Sequence, residues 1–364
     1  MGRIDQLKQP MKPDGGDAPA LRLAAPRALI ETSVSSTSAS AIDIDERLRP
    51  IDVRLASPRG FCAGVERAIR IVEDALAAYG APVYVRHEIV HNAHVVGRLR
   101  RMGAVFVEDL KDAPSDRPVI VSAHGAPRSV YLEAGQREMT LIDATCPLVL
   151  KVHNEARRHA ALGRHVALIG HADHPEIIGV IGQAPQGAVS LIETLDDAQA
   201  FHPPAAAVEG GLAYATQTTL SVDETRDIVE ALKARFPNIV GPSRADICYA
   251  TTNRQAAVKA IAPDCDVFLV VGDATSSNSM RLVETARASG ARRAALVSEP
   301  ATFDAAELLD ADVIGVSAGA SVPEELVEDL LATIANARVL RVKAIEIVDE
   351  DVAFKQPAMP PLRA

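Results

Sequence analysis

Three cysteines, Cys62, Cys146 and Cys248, each stand where a strand-like run hands over to a helical pattern, in RGFCAGVERAI, DATCPLV and DICYATTNRQ. A thiol at a helix start meets the positive end of the dipole and unpaired backbone N–H groups, which lower its pKa and favour metal ligation. The spacing between them is about that of one small α/β unit. Three repeated units of that kind, each supplying one thiol, would converge on a single point. Three soft thiolates around a centre with one coordination position left open suit an iron–sulfur cluster. A zinc site would call for a fourth ligand and close CxxC pairs, and the sequence has none. Cys265 begins a strand, lacks the helix-start context and reads as a small buried hydrophobe.

A second set of polar residues falls in short Gly-rich segments at strand ends. His124 lies in SAHGAP, and His174 and Glu176 in GHADHPE. Thr218 and Thr219 lie in TQTT; Ser276, Ser277 and Asn278 in GDATSSNS; Ser321 follows GVSAGA. Imidazoles with hydroxyl and amide donors beside helix N-termini make a diphosphate pocket. Taken singly, each Ser and Asn is better explained as a helix cap, and Glu176 as an ordinary first-turn carboxylate facing the dipole. Only the set as a whole points to a ligand. HEIVH at His87, Glu88 and His91 matches the H-E-x-x-H zinc-protease pattern, which works only on a helix. Here it follows the strand-like VYVR, so the two histidines are not expected to share a helical face; His91 is placed at the opening of the next helix. His87, His94, His153, His159, His165, His171 and His202 are expected to be structural or exposed.

These residues need elements to hold them. From about residue 50, strand-like runs alternate with helical ones: 53–57, 82–87, 118–125, 165–170, 212–218, 266–273, 293–298 and 312–319. The helix after Cys62 places Val65, Ala68, Ile69, Val72, Ala75, Leu76 and Tyr79 on one face and stops at Gly80. Pro147 suits a first helical position, leaving Cys146 at the cap. Such alternation predicts an α/β fold with mostly parallel sheets and ligand sites at the carboxyl ends of the strands. The expected organisation is an extension over 1–48, α/β units over 49–146, 147–247 and 248–336, and a C-terminal strand and tail over 337–364. The extension, rich in Pro, Gly, Ala and Ser, reads as disordered.

With 364 residues, 48% hydrophobic, the chain can bury a substantial core. Four widely spaced cysteines point to a reducing compartment and to metal or catalytic use rather than a disulfide scaffold. A net charge of −10 and 3% aromatic residues argue against nucleic-acid binding. No apolar run approaches the roughly 20 residues of a membrane span, so a cytoplasmic enzyme without a membrane partner is expected.

The stretches RGFCAGVERAI, VYVRHEIVHN, SAHGAP, DATCPLV, GHADHPE, TQTTLSVDET, DICYATTNRQ, TSSNSMRL and GVSAGAS together resemble one family, in family order, over about residues 52–335. It is 4-hydroxy-3-methylbut-2-enyl diphosphate reductase, the last enzyme of the methylerythritol phosphate route to isoprenoids. The resemblance implies a trefoil of three α/β domains around one [4Fe–4S] cluster per chain, with Cys62, Cys146 and Cys248 as ligands. It implies that His91, His124, Ser276, Asn278 and Ser321 hold the diphosphate, with Ser277 beside them. Glu176, with His174 and Thr218, would deliver a proton to the departing hydroxyl, and Thr251 stands at the Cys248 helix start. The implied reaction is reductive dehydroxylation to isopentenyl and dimethylallyl diphosphate. With no GxGxxG or flavin motif in the sequence, the electrons are expected from a separate ferredoxin or flavodoxin type of carrier. The extension and the acidic GDAT loop at Asp273 depart from the family pattern. The competing readings are a three-cysteine dehydratase such as quinolinate synthase and a non-catalytic cluster-based redox sensor.

Overall fold

Long apolar runs such as VFLVV and HVALI have no polar alternation, the mark of parallel strands covered on both faces. The computed structural model describes residues 50–205 and 210–362. The extension expected over 1–48 lies outside the described residues. In chain order the elements are β1 (Ile51–Ser57), α1 (Ala63–Tyr79), β2 (Val83–Arg86), α2 (Ala93–Met102), β3 (Ala104–Val107), β4 (Val119–Val121), α3 (Arg128–Gln136) and β5 (Leu141–Asp143). There follow α4 (Pro147–Ala161), β6 (His165–Ile169), α5 (Pro175–Ile181), β7 (Val189–Ile192), α6 (Leu195–Ala200), β8 (Leu212–Thr216) and α7 (Val222–Arg235). The rest are α8 (Tyr249–Ile261), β9 (Val267–Val271), α9 (Ser277–Ala288), β10 (Arg293–Val297), β11 (Val313–Ala318), α10 (Glu324–Ala335) and β12 (Leu340–Glu346).

The strands form three sheets, ordered β10-β9-β11-β1-β12, β3-β2-β4-β5 and β7-β6-β8. Every strand pair in them is parallel. The α/β expectation holds, and β9 and β6 are buried along their whole length, as two-sided cover requires. The sheets do not follow consecutive stretches of chain, however. β1, expected with the unit over 49–146, pairs instead with β11 and β12, Leu55 lying opposite both Val316 and Ala344. Its inward residues Ile51, Val53 and Leu55 share one core cluster with Leu269 and Val316. Parallel pairing always needs a crossover, so nothing ties a strand to its sequence neighbours. β12, expected as a separate C-terminal strand, is the edge strand of that same sheet.

Helix α1 buries Ala68, Ile69, Val72 and Ala75, with Val65, Leu76 and Tyr79 packed beside them, and Ile71 joins the buried set. It ends at Gly80, whose φ of 71° is a conformation glycine adopts without a Cβ clash. Helix α2 starts two residues later than His91: Asn92 is its N-cap, accepting from Val95 N at 3.0 Å. An Asn side chain satisfies an orphan N–H, which the histidine would not do as well. His91 is thereby left free to face elsewhere. Residues 87–91 are not helical, so HEIVH has no zincin geometry; His87 bonds Glu108 at 2.7 Å instead.

Candidate active site

All three cysteines occupy N-cap positions: Cys62 before α1, Cys146 before α4 and Cys248 before α8. Only Cys248 uses its sulfur as a cap, accepting from Thr251 N at 3.3 Å. The three thiols face one cavity of about 110 Å³. A Cβ on Gly64 would stand 2.7 Å from Cys146 Sγ and 3.8 Å from Cys62 Sγ. Glycine is needed there for the thiols to approach the first turn of α1.

Burial, not the helix dipole, sets the state of these thiols. It pushes Cys62 up, Cys146 up to about 12 and Cys248 up to about 11, against smaller lowering contributions from backbone N–H groups. The expectation of depressed pKa values is therefore overturned: desolvation of a nearly enclosed sulfur outweighs the first-turn dipole. Each thiolate also disfavours its neighbours, as charge on Cys62 raises both Cys146 and Cys248. A centre with positive charge is what would let the three ionise together. Among the described residues, no group of three His, Cys, Asp or Glu is placed to hold a single metal ion. Three soft donors around one cavity fit a polynuclear iron–sulfur centre.

Above the sulfurs the same cavity is lined by three histidines from three strand-end segments. The rings of His91 and His124 stack at 4.2 Å, and His174 meets them edge-on at 5.7 and 5.8 Å. Burial holds His124 well below its ordinary range and His174 down to about 3, and charge on a neighbouring ring lowers both further. His124 and His174 are neutral imidazoles at neutral pH. His91 Nε2 is buried without a hydrogen-bond partner among the described residues, an unsatisfied group aimed at a ligand.

Hydroxyls and amides close the ring. Ser276 caps α9 by accepting from Ser279 N at 3.3 Å and also lines the cavity, so capping does not take it out of the site. Asn278 accepts from Ala320 N at 2.9 Å and donates to Thr251 Oγ1 at 3.2 Å. Ser321 donates to the His91 carbonyl at 2.8 Å. Ser277 lines the cavity as well, donating to the Thr219 carbonyl at 3.2 Å.

Glu176, in the first turn of α5, is 1% exposed. Its Oε1 accepts from Thr218 N and its Oε2 from Thr218 Oγ1, both at 2.8 Å. Those bonds favour the ionised form, yet burial prevails and pushes the carboxyl up to about 7. In the unfolded chain the carboxyl ionises near 4.5, so folding meets a penalty that grows as pH rises from there and levels off above about 7. Glu176→Gln is therefore expected to stabilise the iron-free protein relative to its parent at about pH 8, by on the order of 3 kcal/mol, with little difference at about pH 5. Denaturant unfolding at the two pH values measures this, and an equal effect at both would show that burial does not raise Glu176.

The cavity thus brings together all twelve residues singled out from the sequence, and Thr251 with them. Cys265 is not among them; it is buried, its sulfur on the Ile261 carbonyl at 3.1 Å. Gln217 escaped notice. It is fully buried, donates to Thr219 Oγ1 at 2.8 Å and Ser277 Oγ at 3.4 Å, and accepts from His171 N at 3.1 Å. Its only signal was an amide between two threonines at the end of an apolar strand.

The family described as LytB protein matches residues 53–335. The chain belongs to this family. Among LytB relatives, a 4-hydroxy-3-methylbut-2-enyl diphosphate reductase of Hyphomonas neptunium is 56% identical over 308 residues, 85% of this chain and 97% of that protein. One of the same name from Phenylobacterium zucineum is 57% identical over the same shares. A solved structure of the E-1-hydroxy-2-methyl-but-2-enyl-4-diphosphate reductase from Plasmodium falciparum superposes with a TM-score of 0.80 at 36% identity, covering 85% of this chain and 96% of that one. This LytB chain is accordingly an enzyme, an oxidoreductase. Among its described residues no helix is long and apolar enough to cross a membrane.

Proposed function

We propose that the chain reduces 4-hydroxy-3-methylbut-2-enyl diphosphate to isopentenyl and dimethylallyl diphosphate, the last step of the methylerythritol phosphate pathway. One observation carries this reading: three thiols, three clustered imidazoles and a buried carboxyl at the edge of ionisation share one small cavity. The name shared by the bacterial relatives supports the substrate.

Cys62, Cys146 and Cys248 would hold one [4Fe–4S] cluster, a three-thiolate set that leaves one iron without a protein ligand. When bound, the cluster supplies two electrons, one at a time. The remaining steps belong to side chains. His91, His124, Ser276, Asn278 and Ser321, with Ser277 beside them, hold the diphosphate; a polyanion opposes the burial that keeps His124 neutral, because a nearby negative charge favours imidazolium. Glu176 is protonated in a large fraction of molecules near neutral pH and gives its proton to the leaving hydroxyl through Thr218, with His174 fixing the turn by accepting from Glu176 N at 3.2 Å. The C–O bond breaks, water leaves, and two electrons with a second proton complete a C–H bond at either end of the allylic unit.

The electrons come from an external one-electron carrier of ferredoxin or flavodoxin type, and the enzyme acts in the cytoplasm. The three cysteine-bearing segments form three α/β units, the third completed by β1 and β12.

Anaerobic reconstitution followed by oxidation of reduced viologen with the diphosphate substrate tests the reading. Substrate-dependent turnover is expected. A four-iron protein that does not turn over would sink the reductase reading in favour of a dehydratase or a sensor.

A further inference from the structure

Each of the three helices that begins with a cysteine carries a cation five or six positions further on: Arg67 after Cys62, Lys151 after Cys146, Arg254 after Cys248. Arg254 Nη1 also donates to the Ala250 carbonyl in the first turn of its own helix at 3.1 Å, but the approach each cation grips belongs to another cysteine. Arg67 Nη1 donates to the carbonyls of Ala144 and Thr145, at 3.4 and 3.1 Å, just before Cys146. Lys151 Nζ donates to the carbonyls of Arg244 and Ala245, at 2.5 and 3.2 Å, and to Asp246 Oδ1 at 2.7 Å, just before Cys248. Arg254 donates to the Gly60 carbonyl from Nε at 3.0 Å and Nη2 at 2.7 Å, and to the Phe61 carbonyl at 3.1 Å, just before Cys62. The circuit closes on itself.

We propose that Arg67, Lys151 and Arg254 are positioning residues forming a closed ring of clamps, each carried on one cysteine's helix and fixing the loop that aims the next cysteine. The proposal rests on the reading of the cavity as a cluster site. Its physical basis is that a cation bonded to the carbonyls preceding an N-cap fixes the backbone that sets the direction of the cap's Cα–Cβ bond. Charge-assisted bonds are about twice as strong as neutral ones. The anchors are themselves held. Arg254 is fully buried and pairs with Glu350 at 3.0 Å; Asp246 is fully buried and also accepts from Thr216 N at 2.9 Å; Arg67 Nε donates to the Lys355 carbonyl at 3.0 Å. The C-terminal stretch thus braces two of the three clamps. Such a ring solves a specific difficulty: three loops from different parts of the chain must present sulfurs to one centre before that centre is there to organise them.

The ring makes a positional prediction that a general loss of stability would not. The amides of Cys146, Cys248 and Cys62 are bonded to the carbonyls of Ala123, Thr218 and Ala320, so their hydrogen exchange reports on each loop. In the iron-free protein, Arg67→Gln should speed exchange about tenfold at 144–146, Lys151→Gln at 244–248, and Arg254→Lys at 60–62, each leaving the cysteine of its own helix protected. In the reconstituted protein each variant should release iron to a chelator about tenfold faster, with Lys151→Arg restoring the parent rate. Glu350→Gln provides a milder route to the 60–62 loop if Arg254→Lys fails to fold. Exchange that rises evenly along the chain, rises at a variant's own cysteine, or does not change overturns the ring. If the parent chain takes up no cluster, the cluster reading falls while the exchange map still decides whether the ring exists.

Discussion

Cys146→Ser is expected to give a folded chain that no longer retains a four-iron centre and loses nearly all turnover. Folding should survive because the Cys146 sulfur makes no capping bond; the α4 start is secured by Pro147 and by the Cys146 N–H on the Ala123 carbonyl at 3.0 Å. The centre should not survive. A serine hydroxyl is a hard donor with a far higher pKa, placed where burial already pushes a thiol up to about 12. The loss should exceed the roughly 10–100-fold typical of changes outside a metal's own ligands. Iron and sulfide per chain and viologen oxidation measure it. Cys265→Ser is the matched control: the same substitution, in a residue bonded to the Ile261 carbonyl and absent from the cavity, should leave iron content and turnover intact. A Cys146→Ser protein with the parent's iron content would remove Cys146 from the ligand set.

The contrast between these two cysteines was legible in the sequence because helix starts announce themselves locally. Pro147 marks one, the apolar stripe from Val65 to Tyr79 another, and the loops carrying His124, His174 and Ser276 follow strands whose apolar runs are continuous. What could not be read was whatever depends on distant backbone. Strands β3, β5 and β7 are three or four residues long and too short to show a period. β1 sits in a sheet whose other strands come from beyond residue 266, a pairing that leaves no trace in its own side chains. The cationic ring was hidden for the same reason, since Arg67, Lys151 and Arg254 bond mostly to main-chain carbonyls, which look alike at every position. The ionisation of the cysteines was misjudged because the dipole acts within one turn and can be inferred locally, whereas desolvation depends on everything packed around the sulfur.

Desolvation also underlies the second large effect. Glu176→Gln is expected to bind the diphosphate as the parent does and to turn over roughly 10²–10⁴-fold more slowly, the usual contribution of a general acid. Glutamine keeps the side-chain length and can still accept from Thr218 N, so the pocket geometry and the histidine cluster stay in place. What it cannot do is release a proton. The parent's rate should fall as pH rises through about 7, because only the protonated carboxyl is competent, while the variant's residual rate should lack that limb. Steady-state rates across pH, paired with substrate affinity by calorimetry, separate the two quantities. Weakened binding with an unchanged rate at saturation would make Glu176 a substrate contact rather than an acid. The same substitution should raise stability above neutral pH and lower the rate, and one cause accounts for both. Burying a carboxyl away from water costs the fold when that group ionises, and it is this cost that keeps a proton on Glu176 near neutral pH, in the cavity the three thiols share.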